Sequence, residues 1–147
     1  MREIIFRGKN IESGEWLYGD YAVPTSLYHA NIFTKENDLE GVAVDEETVG
    51  QYTGLTDIHG VKIFEGDIVK HYNNSPDCGY DVGVIKWSIE KVSFVRSSLQ
   101  CNKNFYIADN YTYEIIGNIH DNDESMQSAE PPTQADSWLM SRFQKQE

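Results

Sequence analysis

The chain has 147 residues with 24 acidic against 12 basic side chains, a net charge of −12, and 39% apolar and 12% aromatic residues. That length fits one domain of ordinary size or two very small ones, and plentiful rings let a small β domain bury much area with few residues. The negative field repels phosphate backbones and anionic lipid at long range, and no stretch approaches the ~18 apolar residues of a membrane-spanning helix.

In chain order, the opening Met1-Arg2-Glu3-Ile4-Ile5-Phe6-Arg7 does not read as a secretory leader, because charges interrupt its apolar residues, and none is expected. Residues 4–7 read as a strand and 10–14 as turn material. Residues 15–18 form a strand, Gly19-Asp20 a turn, and 21–23 a strand that Pro24 ends, since proline has no N–H for a ladder. Residues 27–34 hold Leu27, Tyr28, Ile32 and Phe33 and read as a further strand, followed by a charged turn at 35–41. Val42 and Val44 alternate as strand residues do, and Asp45-Glu46-Glu47 reads as a solvated turn. Residues 49–55, 61–64 and 68–72 are strands, separated by a turn at 56–60 and a tight corner at Glu65-Gly66-Asp67. Residues 73–81, with Pro76 and Gly79, read as a loop. The runs 82–87, 92–95, 105–107 and 113–119 complete the set. No window before residue 120 holds a helical apolar period, so the fold class is mostly β.

A weak internal repeat suggests the organisation. Trp16-Leu17-Tyr18-Gly19-Asp20-Tyr21-Ala22-Val23 aligns with Ile63-Phe64-Glu65-Gly66-Asp67-Ile68-Val69-Lys70, and Thr48-Val49-Gly50-Gln51-Tyr52 with Ile115-Ile116-Gly117-Asn118-Ile119. The order is the same in both halves. It points to a smaller N-terminal β unit over 1–55 and a related SH3-like barrel over 56–120. Gly19, Asp20, Gly66, Asp67 and Gly117 are read as structural turn positions: glycine reaches φ > 0 without a Cβ clash, and Asp ties nearby amides. Gly66-Asp67-Ile68-Val69, a long loop and then Gly83-Val84-Ile85 is a spacing common in SH3-like barrels. Such barrels bind many things, so fold alone assigns no function.

Residues 121–147 differ. Asp121 to Glu124 is acidic and polar, and Pro131-Pro132 fits a linker. Thr133 or Asp136 would cap a short C-terminal helix reaching about residue 144. Trp138, Leu139 and Phe143 would form its apolar stripe. So short a helix is marginal alone in water and needs a surface: its own barrel, a neighbouring subunit or a partner.

Several motifs in order carry a resemblance. They are Arg2-Glu3-Ile4, Phe6-Arg7-Gly8-Lys9, Gly14-Glu15-Trp16, Tyr18-Gly19-Asp20, Val49-Gly50-Gln51-Tyr52-Thr53-Gly54-Leu55 and Glu65-Gly66-Asp67-Ile68-Val69. The closing motif is Tyr113-Glu114-Ile115-Ile116-Gly117-Asn118-Ile119-His120. Over about residues 1–121 the chain resembles the YopX family of uncharacterised proteins of phages and prophages. The resemblance implies a phage-encoded protein with an SH3-type barrel. It implies no activity and transfers no catalytic or binding residue.

The search for chemistry finds no enzyme signature. His29, His59, His71 and His120 with Cys78 and Cys101 show no metal-ligand spacing. The serines lack a nucleophile elbow, and Cys78 lacks a nearby cation to lower its pKa. Two cysteines make no disulfide framework and read as reduced thiols of a cytoplasmic protein. No metal or cofactor is expected. Lys86, Lys91, Arg96 and Lys103 interleave with Trp87, Phe94 and Phe105, where bases could stack beside cations. The plainer reading buries the rings, with Trp16 and Trp87 both in the core.

The leading expectation is therefore a non-enzymatic phage or prophage accessory protein. It would bind a phage or host protein, or itself, through Trp138, Leu139, Phe143 and exposed aromatics. The alternative is a nucleic-acid-binding SH3-like module using Lys86, Trp87, Lys91 and Arg96. An enzyme of unrecognised type is the third reading.

Overall fold

The computed structural model describes residues 2–72, 79–109 and 111–121. Ten strands are present among them: β1 (Phe6–Asn10), β2 (Trp16–Ala22), β3 (Asn31–Phe33), β4 (Val42–Thr56), β5 (Lys62–Phe64), β6 (Asp67–Tyr72), β7 (Tyr80–Ser88), β8 (Ser93–Ser98), β9 (Asn104–Tyr106) and β10 (Thr112–Asn118). The protein is mostly β, with no helix among the described residues. The expected C-terminal helix with Trp138, Leu139 and Phe143 lies outside them.

The strands form two antiparallel five-stranded sheets. The first has the order β1-β2-β3-β4-β5, and β1 also pairs with β4, so β1 to β4 make a closed circuit of pairings. The second has the order β10-β6-β7-β8-β9. Among the described residues its hydrogen bonding ends at β10 on one side and β9 on the other. β5 continues into β6 through Glu65 and Gly66, which joins the sheets. Ala30, Ile32 and Val44 are buried together in the first sheet. A second buried group sets Ile63 of β5 against Val69, Ile85 and Tyr113 of the second sheet, and a third gathers Ile68, Val82 and Leu99 on the second sheet.

The two Gly-Asp pairs differ in structure. Gly66 has φ +90° in the turn before β6, and the Phe64 N–H donates to Asp67 Oδ2 at 2.8 Å. Gly19 and Asp20 lie inside β2, with Gly19 opposite Phe6 and Asp20 opposite Phe33, so the expected turn there is corrected. The reason is tertiary. A Cβ on Gly19 would sit 2.0 Å from the Phe33 carbonyl oxygen, so the glycine admits β3 rather than bending the chain. Gly117 likewise lies inside β10, beside a register shift between Ile115 and Gly117 that leaves Ile116 unpaired, as in a β-bulge.

Two further readings are corrected. Asp45, Glu46 and Glu47 are not a turn between strands but part of β4. The register on β1 jumps from Asp45 to Gly50 between Lys9 and Arg7. Thr48 Oγ1 closes that irregularity, donating to the Asp45 carbonyl at 2.6 Å and accepting from the Lys9 N–H at 2.9 Å. Val92 does not open β8: it stands in the preceding turn at φ +49°, a region that crowds a β-branched side chain.

Candidate functional site

Two surfaces stand out, one between the sheets and one on the outer strands of the second sheet. The first begins with a buried ion pair. Arg7 on β1 donates from Nη2 to Asp67 Oδ1 on β6 at 2.7 Å, and each side chain is nine-tenths buried. The Arg7 guanidinium lies 4.6 Å from the Trp16 ring centroid and 5.0 Å from that of Phe64, within cation–π range of both. Nη2 also reaches the Glu65 carbonyl at 3.3 Å, whereas the buried Nε has no hydrogen-bond partner among the described residues. Burial pushes the Asp67 carboxyl above its ordinary value, against the opposing pull of Arg7 and the Phe64 N–H.

Beside it, Asp121 accepts from Lys9 Nζ at 2.6 Å and from the Trp16 indole N–H at 3.2 Å. Lys9 Nζ donates to the His120 carbonyl at 3.0 Å. Burial raises the Asp121 carboxyl, but Lys9, Asn118 and Trp16 outweigh it and leave the group below its ordinary value. His120 is lowered, first by burial and then by Arg7 and Lys9. A cavity of about 490 Å³ opens here, walled by Ile5, Trp16, Tyr18, Val61, Phe64 and Ile115 with Arg7, Asp67 and Asp121 at its polar side. Asp57 fixes this wall. Its carboxyl accepts from the His59, Val61 and Ile115 N–H groups, tying the turn before β5 to β10.

The second surface is carried by β7, β8 and β9. Cross-strand pairing sets Trp87 opposite Phe94, and Ile85 opposite Arg96 opposite Phe105. Trp87 is not a core residue: it is 45% exposed, standing edge-on to the buried Phe94 at 5.1 Å. Strand alternation places it on the same face as Ile85, but near the hairpin end, beyond the packing that covers Ile85. Trp16 is half-buried. Ile89, Val92, Phe105 and Tyr106 are exposed as well, Ile89 at 86%.

The cations expected around Trp87 divide. Lys86 is exposed, and Lys91 Nζ lies 4.9 Å from the Tyr106 ring centroid. Arg96 is buried and paired with Asp81, its guanidinium 4.8 Å from the Phe105 ring centroid. Ser98 Oγ donates to the other Asp81 oxygen at 3.0 Å. Arg96 therefore organises the sheet instead of offering free charge.

Sequence reasoning found Trp87, Lys86 and Lys91, and missed Ile89, Val92 and Tyr106. Ile89 and Val92 flank Glu90-Lys91 in a four-residue connection between Ser88 and Ser93, and apolar residues in so polar a turn were the available signal. The inter-sheet cluster was not legible, because Arg7 and Asp67 stand 60 residues apart. Among the described residues no three His, Cys, Asp or Glu side chains converge as metal ligands. Cys101 is exposed, and Cys78 lies outside the described residues. No described helix is long and apolar enough to cross a membrane.

The family model described as YopX protein matches residues 5–127. The chain is also similar to the crystal structure of protein EF1440 from Enterococcus faecalis. The two share 24% identity over 83% of this chain and 96% of that one, with a TM-score of 0.43. No curated protein matches.

Proposed function

We propose that this chain, which belongs to the YopX family, is a non-enzymatic phage or prophage accessory protein that binds a protein partner in the bacterial cytoplasm. The observation that carries the reading is the exposed outer part of the second sheet, where Trp87 and Phe105 on one side of β7 and β9, Tyr106 on the other, and Ile89 and Val92 in the connecting turn all reach solvent. Clustered exposed apolar side chains of this kind mark interaction surfaces, and aromatic residues are enriched at interface centres. The second sheet, a β6 to β9 meander flanked by β10, is taken as the SH3-type unit. Its outer strand β9 has three residues and one unpaired edge among the described residues, suited to backbone pairing with an added strand.

Local charge narrows the partner. Residues 80–106 hold Lys86, Lys91, Arg96 and Lys103 against Asp81 and Glu90, in a chain whose acids outnumber its bases two to one. An acidic protein surface with apolar residues at its centre complements these outer strands. Nucleic acid is the alternative ligand, for which Lys86, Lys91 and Lys103 would supply the cations.

The test is capture from lysate of a bacterial host, with and without nuclease, by the tagged full chain and by Trp87→Ala and Tyr106→Ala variants. The expected result is a protein retained through nuclease treatment and lost with either variant. A captured protein indifferent to both substitutions overturns the assignment to these outer strands. Loss of all partners on nuclease treatment moves the nucleic-acid reading to first place.

A further inference from the structure

The inter-sheet cavity raises a separate question, independent of any partner on β7 to β9. Its walls are mainly apolar, and two of them, Tyr18 and Val61, are about half exposed. Its volume, about 490 Å³, lies within the usual range of ligand pockets. The described chain ends at its rim, since Asp121 is both the last described residue and a lining residue.

We propose that the chain's own C-terminal segment occupies this cavity, with the apolar residues among 133–147 as its anchors. Three observations converge. First, the 26 residues after Asp121 start at the rim, and those up to Pro132 can span ~35 Å when extended, so reach is no obstacle. Second, Trp138, Leu139 and Phe143 are the large apolar residues of that segment apart from its methionines. They need an apolar surface, and the cavity supplies one at the point where the chain leaves the sheets. Third, the cavity's lining carboxylates, Asp67 and Asp121, are paired with Arg7 and Lys9, and Lys62 is held by a 3.5 Å ion pair to the exposed Glu3. Lys62 can therefore meet the segment between Asp121 and Trp138, which carries Asp123, Glu124, Glu130 and Asp136 and no cation. Tethering makes docking intramolecular, so even weak contacts are populated at the high effective concentration of a short linker.

Hydrogen exchange on the full chain, read by mass spectrometry over 133–147, tests this. The comparison states are a free peptide of that sequence and the full-length variants Val61→Glu and Tyr18→Ser. Both substitutions fall at half-exposed positions, and exchange in β6 and β7 reports whether each variant is folded. The expected result is exchange at least ~10-fold slower in the full chain than in the peptide, unaffected by dilution, and restored to the peptide rate by either substitution. Exchange at the peptide rate in the parent chain overturns the proposal. So does slowing that survives both substitutions, or slowing that vanishes on dilution, which would place the segment on a second copy.

Discussion

Arg7 and Asp67, 60 residues apart, meet at 2.7 Å with both side chains nine-tenths buried, and their ion pair joins the first sheet to the second. Removing one partner of such a pair leaves an uncompensated buried charge. Arg7→Ala should therefore destabilise the protein by ~3–5 kcal/mol. Part of that cost is the ring packing lost when the guanidinium leaves Trp16 and Phe64. Urea denaturation gives the value. A loss below ~1 kcal/mol, the range of exposed ion pairs, would mean that the pair does not couple the sheets.

Gly19 separates two explanations of the Gly-Asp motif. A side chain there meets the Phe33 carbonyl, so Gly19→Ala should cost about 3 kcal/mol through overpacking and displacement of β3. Gly14 has φ +73° with nothing within 4 Å of an added Cβ, so Gly14→Ala should cost only the ~1–2 kcal/mol of left-handed backbone strain. Thermal unfolding of both variants ranks them. Equal losses would remove the close approach as the explanation.

Trp87 and Ile85 lie on one strand face yet differ in burial. Ile85→Ala should cost ~2–5 kcal/mol, whereas Trp87→Ala should cost less than ~1 kcal/mol, as surface substitutions do. Unfolding midpoints measured side by side decide this. A Trp87 loss matching that of Ile85 would place the ring in the core.

Acid should weaken the molecule below about neutrality. His120 and His71 are both held below the ordinary value of 6.5, first by burial and then by cations: Arg7 and Lys9 beside His120, Arg96 beside His71. The unfolded chain then takes up protons at higher pH than the folded one. The contribution of the neutral imidazoles is thus complete above 6.5 and is lost as pH falls below it. Asp121 and Asp45 face His120 and oppose its lowering. Glu65 and Asp67, raised by burial, gain stability as acid protonates them. His120→Gln isolates the imidazole: the loss of stability between about pH 7.5 and about pH 5.5 should be smaller in the variant. Equal losses in parent and variant would remove His120 from the acid response.

The all-β character of the described residues was legible because it depends on local signals. The β-branched and aromatic residues of 68–72 and 82–87, the alternation of Val42 and Val44, and the proline after β2 act within a few residues of themselves. The Glu65-Gly66 corner was legible for the same reason, since a positive φ and a carboxylate on a nearby amide are local chemistry. The same Gly-Asp dipeptide misled at residues 19 and 20, where the glycine answers to a carbonyl on β3. Chain pattern placed Trp87 on the inward face of its strand but could not tell how far the covering layer extends along it.

By itself, then, the sequence determined strand identity, the family and the corner before β6. Tertiary structure alone decided that Arg7 meets Asp67, that Asp81 neutralises Arg96, and that a cavity opens where the sheets join. The physical reason is range: backbone conformation answers to neighbours a few residues away, whereas ion pairs, cavities and exposure depend on which distant segments the packed sheets bring together.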